Sequence, residues 1–88
     1  MLRCNAHDTI TEVQSVLNIL PEDPYDVEDS DRKSIKNLLI KLCTWARSQD
    51  EYSLANSNGS TERKVYSERL KTNDNLVQSI HAYFGGDG

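Results

Sequence analysis

Long apolar runs are missing from this chain of 88 residues. The longest is Leu38-Leu39-Ile40, stopped by Lys41, whereas a bilayer-spanning helix needs roughly 20 apolar residues in a row. The opening stretch, Met1 to Asp8, has no apolar core of the kind a secretory signal peptide carries. Cysteine is scarce. Cys4 and Cys43 alone build no disulfide framework, so both thiols are expected free in a reducing, cytoplasmic compartment. Glycine is scarce too, and three of the four sit in the tail Gly85-Gly86-Asp87-Gly88. Basic charge is in deficit: ten Lys and Arg stand against fourteen Asp and Glu, a formal charge of −4. That balance argues against general affinity for nucleic acid, which comes largely from cations displacing counterions. Apolar residues make up 36% of the chain, so its core must be small. A domain this short buries only about 60–70% of its unfolded surface.

Reactive groupings are missing as well. There is no Gly-rich phosphate loop, no nucleophile elbow and no paired-histidine metal motif. Cys4-x-x-His7 has the spacing of half a zinc site, but Cys43 and His81 are lone residues on separate predicted helices, and structural zinc sites carry two local pairs. The acidic run after Leu20 lacks the glycine and closing glutamate of a calcium loop, and Pro24 interrupts it. Asn58-Gly59-Ser60 has the form of a glycosylation acceptor; without a signal peptide it reads as a turn. The chain is therefore expected to be no enzyme and to carry neither metal nor cofactor.

What is present has helical spacing. Ile10, Val13, Val16, Leu17 and Leu20 recur at steps of three and four, which predicts a helix over 8–20 with one apolar face. Asp8 or Thr9 caps it, Thr9 with Glu12 forming a capping box, and Pro21 ends it. Residues 21–28 read as an extended acidic connector. A second helix is predicted from Asp29 or Ser30 into the low fifties. Ile35, Leu38, Leu39, Leu42, Trp45, Ala46 and Tyr52 form its apolar side, and Trp45 sits at the centre of the shared core. Residues 55–60 form a loop, because Asn58-Gly59 tolerates positive φ. Ser60 then caps a third helix, from about Thr61 to Phe84, with Val65, Tyr66, Leu70, Leu76, Val77, Ile80, Tyr83 and Phe84 on a broad face.

The run Lys71 to Asn75 holds four consecutive poor helix formers. Either the third helix breaks there, giving four helices, or Asn73 makes a buried hydrogen bond. The expected fold is thus all-α: one domain, a small bundle of three helices or four. Residues 1–7 and 85–88 are read as flexible termini.

Charge is segregated. Glu22, Asp23, Asp26, Glu28, Asp29 and Asp31 put six acids into ten residues with no base among them. Arg32, Lys33, Lys36, Lys41 and Arg47 follow with no acid between. The acids suit a solvated connector whose last members meet the positive end of a helix dipole. They also suit a patch for a basic partner, with Tyr25 as the aromatic anchor that interface centres favour. Lys33, Lys36, Ile40 and Arg47 fall on the side of the second helix away from Leu38, Leu42 and Trp45. That stripe reads as a solvated face, or as a contact surface for phosphates.

A chain with so little apolar material and no reactive grouping acts through its surface. The expectation is a protein-binding module, an inhibitor or adaptor acting on a larger, basic, nucleic-acid-handling protein or nucleoprotein complex. By analogy of class and not of residues, such small acidic proteins occur among phage and mobile-element inhibitors of anti-CRISPR and anti-restriction type, which would work in the host cytoplasm. The alternatives are a small nucleic-acid-binding domain using the basic stripe, and a homo-oligomeric structural subunit with Ile19 or Ile40 in its self-interface.

Overall fold

The computed structural model describes residues 5–85. Three helices form among them: α1 (Ala6–Ile19), α2 (Asp29–Ala55) and α3 (Ser60–Phe84). The expected all-α bundle is present, with three helices and not four. Most of each terminal segment read as flexible, residues 1–4 and 86–88, lies outside the described residues. Residues 5–7 and 85 have defined positions. Ala6 and His7 open α1, and Ala6 is buried.

The cap of α1 is earlier than the sequence suggested. Asn5, not Asp8 or Thr9, occupies the N-cap, and its side-chain oxygen accepts from the Asp8 amide at 2.8 Å. Thr9 is buried instead of capping. At the other end Leu20 turns to extended geometry, as a residue before proline must. The loop between α2 and α3 has shrunk to 56–59. Asn56 turns back and donates from Nδ2 to the Tyr52 carbonyl at 2.8 Å, and Ser57 Oγ donates to the Ser53 carbonyl at 2.7 Å. These bonds satisfy carbonyls that a helix end leaves open. The N-cap of α3 is Gly59 and not Ser60, and it makes no side-chain cap bond. The Asn58-Gly59 turn does not use positive φ either. Gly85, past the end of α3, is the one described residue that does, at φ 86°, where a side chain would be strained.

α2 is the central element. α1 and α3 pack mainly against it and touch one another little, so the molecule is a slab of 46 × 30 × 18 Å. The core is Ala6, Ile10 and Val13 from α1, Leu39, Cys43 and Ala46 from α2, and Leu76 and Ile80 from α3.

Only part of the expected α2 face is buried: Leu39 and Ala46 are in the core and Ile35 and Leu42 pack against it. Leu38 is 57% exposed, Trp45 42% and Tyr52 71%; the buried stripe is Leu39, Cys43, Ala46 and Asp50. The helix is rolled by about one residue, or roughly 100°, from the predicted orientation. The reason lies in size. Cys43 and Ala46 let two flanking helices approach the α2 axis closely, where Trp45 would hold them apart.

α3 runs unbroken through the weak segment. Asn73 is almost fully buried, and its Nδ2 donates to the Cys43 carbonyl at 2.9 Å. Of the two alternatives, the buried hydrogen bond is the one realised. That bond satisfies the amide donor where the seam would otherwise leave a polar group dry.

Candidate functional site

The connector between α1 and α2 is braced at both ends. Pro21 presents its carbonyl to the Tyr83 hydroxyl, which donates to it at 2.5 Å; Tyr83 in turn packs edge-on against Phe84, centroids 4.8 Å apart. Pro24–Asp26 forms a single 3-10 turn inside the segment read as extended. Asp23 starts that turn, its carboxylate accepting from the Tyr25 amide at 2.9 Å. The Val27 amide closes it on the Pro24 carbonyl at 3.1 Å. Pro24 supplies the fixed φ that the first position of such a turn needs.

Arg32 holds the second end. Its guanidinium lies 4.8 Å from the Tyr25 ring centroid, reaches the Pro24 carbonyl at 3.5 Å and pairs with Asp29 at 2.5 Å. The hydrogen bond from Arg32 holds the Asp29 carboxyl below the usual aspartate range, and the Arg32 and Lys33 charges add to the effect. The Tyr83 phenol is moved the other way: partial burial raises it, and the nearby Asp23 and Asp26 charges raise it further.

All six acids, Glu22, Asp23, Asp26, Glu28, Asp29 and Asp31, are exposed along this braced segment. Tyr25 stands among them 82% exposed, while Val27 is half-buried. A groove of about 390 Å³ runs beside them, lined by Tyr25, Arg32, Lys33 and Lys36 and by Tyr83 and Phe84 at the end of α3. Acidic ridge and basic groove therefore share one end of the molecule.

The basic stripe is not an open outer face. Because α2 is rolled, its side turns toward α3. Ile40 is half-buried against the core. Arg47 pairs with Asp74 on α3 and with Glu51 at 3.5 Å. Lys36 is half-buried, and Lys33 and Lys41 are exposed. Ile19, the other residue considered for a self-interface, is 80% exposed.

Of the metal candidates, Cys4 lies outside the described residues. Cys43 is sealed in the core, and burial pushes its thiol up to about 11, which removes the thiolate that binds metals and attacks electrophiles. His81 is exposed in the last turn of α3. Among the described residues no group of three or more His, Cys, Asp and Glu could hold a metal ion, and no helix is long and apolar enough to cross a membrane.

Two features were missed in the sequence. Arg32 is the brace of the connector; its place three residues after Asp29, at the border of the two charge blocks, was the available signal. Asp50 is the other. It lies four residues after Ala46 and seven after Cys43, on the buried stripe, and it is 2% exposed. Comparison with protein families, curated proteins and solved structures finds no match to this chain.

Proposed function

We propose that this chain is a non-catalytic docking module whose acidic connector engages a Lys/Arg-rich surface on a larger, nucleic-acid-handling protein. The observation that carries the reading is Tyr25: a large aromatic side chain stands almost fully in water, its ring backed by Arg32 and its amide fixed by Asp23. Exposed aromatics held in place bind at low entropic cost, because little ordering remains to be done on association. The surrounding carboxylates add attraction at a distance, which speeds encounter and is weakened by salt. A row of carboxylates on a braced turn can occupy a groove shaped for phosphates, so inhibition of the partner by occupancy is the mode of action that fits. Inhibitors of anti-CRISPR and anti-restriction type are the class in which such a mode is familiar; the support is the charge pattern alone.

The test compares partner capture by the wild-type chain with capture by Asp23→Asn/Asp26→Asn/Glu28→Gln/Asp29→Asn and by Tyr25→Ala. The amides keep the Asp23 turn while removing charge. Loss of the same partner from both variants, together with displacement from the wild type by heparin, is the expected result. A partner held equally by wild type and quadruple variant eliminates the connector as the docking site.

A further inference from the structure

About 30 Å along α2 from the start of that helix, the bundle buries a charge that it pairs only loosely. Asp50 Oδ1 faces Arg69 Nη1 at 4.0 Å, beyond hydrogen-bond reach, and Oδ2 has no hydrogen-bond partner. The attraction of Arg69 is shared, since its guanidinium also lies 5.4 Å from the Tyr66 ring centroid. Burial raises the Asp50 carboxyl above the usual aspartate value; Arg69 first, then His7, lower it, but by less.

Asp50, only 2% exposed, is among the residues lining a groove of about 410 Å³ between α1 and α3, the two helices that touch each other little. Ile10 and Val65 are its apolar walls, and Val65 is 44% exposed. Glu68 lines it as a second acid, and Lys64, Arg69 and His7 line it as well. The groove is thus an apolar slot with a carboxylate in its wall.

Asparagine would fill the Asp50 position with the same shape and without the cost of a half-satisfied buried charge. What the charge adds is attraction for a cation. The apolar walls require that cation to arrive on an aliphatic stem. Arg69 already stands on the Oδ1 side, so a planar guanidinium could not engage both carboxylate oxygens; a compact ammonium needs only one. We propose that the α1/α3 groove receives a lysine side chain of a partner protein, its stem between Ile10 and Val65 and its ammonium against Asp50. This goes beyond the connector reading and does not rest on it.

The experiment follows amide shifts of the full, ¹⁵N-labelled chain titrated with acetyl-Gly-Lys-Gly-amide. Matched peptides carry norleucine or Nε-acetyl-lysine in place of lysine. Saturable shifts at Ile10, Asp50 and Val65 are expected with the lysine peptide, and binding at least about tenfold weaker with both controls. Asp50→Asn, which removes a buried charge and keeps the fold, weakens the lysine peptide to a similar degree. The connector quadruple variant binds it as the wild type does, so failure of the connector reading leaves this result untouched. Equal binding of the norleucine peptide, or no saturable shift at these three residues, overturns the proposal without any variant; undiminished binding to folded Asp50→Asn also overturns it.

Discussion

At the start of α2, Asp29 stands in water with a guanidinium 2.5 Å away; toward its end, Asp50 stands in the core with a guanidinium at 4.0 Å. Both are aspartates with an arginine partner on a helix. Their carboxyl groups move in opposite directions, Asp29 down and Asp50 up. At Asp29 the hydrogen bond from Arg32 acts on a group that gives up almost no hydration. At Asp50 the loss of hydration outweighs the combined pull of Arg69 and His7. An arginine nearby therefore does not decide whether a carboxylate helps the fold. Depth and geometry do. Between these two regions lies Asn73, as buried as Asp50 but neutral and bonded to the Cys43 carbonyl. The seam accepts a satisfied dipole in its middle and a half-satisfied charge at one end.

The severest way to break that contrast is to put a charge in the middle. Asn73→Asp would aim a carboxylate at the Cys43 carbonyl, and Arg47, which lines the same cleft, is already paired with Asp74 and Glu51. We expect a loss of about 3–5 kcal/mol at pH 7, partly recovered in acid, where a protonated carboxyl can donate to the same carbonyl. Urea unfolding at the two pH values measures it. A loss under about 1 kcal/mol would mean that water reaches the seam.

Asp50→Asn is expected to act in the opposite sense and more weakly. It should stabilise the fold at pH 7 by about 1 kcal/mol, seen as a rise in Tm of about 4–8 °C for a domain of this size. The pH dependence sharpens the point. Because the folded carboxyl of Asp50 is raised, the folded state holds the proton more tightly than the unfolded chain. The stability this contributes is complete below the ordinary value of 3.8 and is lost as pH rises through the folded value. The gap between Asp50→Asn and wild type should therefore be widest at neutral pH and close as pH falls below 3.8. A destabilised Asp50→Asn at pH 7 would show that Arg69 compensates the burial after all.

These contrasts also explain what could be read from the sequence. The three helices and the acidic connector were legible, because Pro21, the Asn-Gly loop and the three-and-four spacing are local signals. The buried hydrogen bond of Asn73 was legible as one of two alternatives, since an asparagine at the centre of an apolar stripe must be satisfied or must break the helix. The buried face of α2 was legible only in part: Leu39 and Ala46 stood on the expected side, Cys43 and Asp50 did not. Leu38, Leu39, Ile40 and Leu42 crowd a single turn, and periodicity alone ranks the face with Leu38, Trp45 and Tyr52 first because those residues are larger. Packing chose the neighbouring face, where Cys43 and Ala46 admit two helices at once. With the face partly misplaced, nothing marked Asp50 as buried, and Ile40 and Arg47 looked solvent-facing. The tilt of one helix thus hid the buried charge and the inward turn of the basic stripe together.

The smallest expected effect lies at the other end of the comparison. Asp29→Asn removes the ion pair with Arg32 but leaves Arg32 its contacts with Pro24 and Tyr25. The depressed Asp29 carboxyl contributes stability above its unfolded value, lost as pH falls through the folded one, the reverse of Asp50. Because its side chain is 73% exposed, the contribution is screened, and a surface pair of this kind is worth little. Asp29→Asn should lower Tm slightly in dilute buffer, by less than Asp50→Asn raises it, and the difference should vanish in molar salt, where the screening length is only about 3 Å. The Asp50→Asn difference, arising in the core, should survive the same salt. Thermal scans of both variants at low and high salt make that separation directly: if salt erases both differences alike, Asp50 is not shielded from solvent, and the contrast between the two ends of α2 is one of degree only.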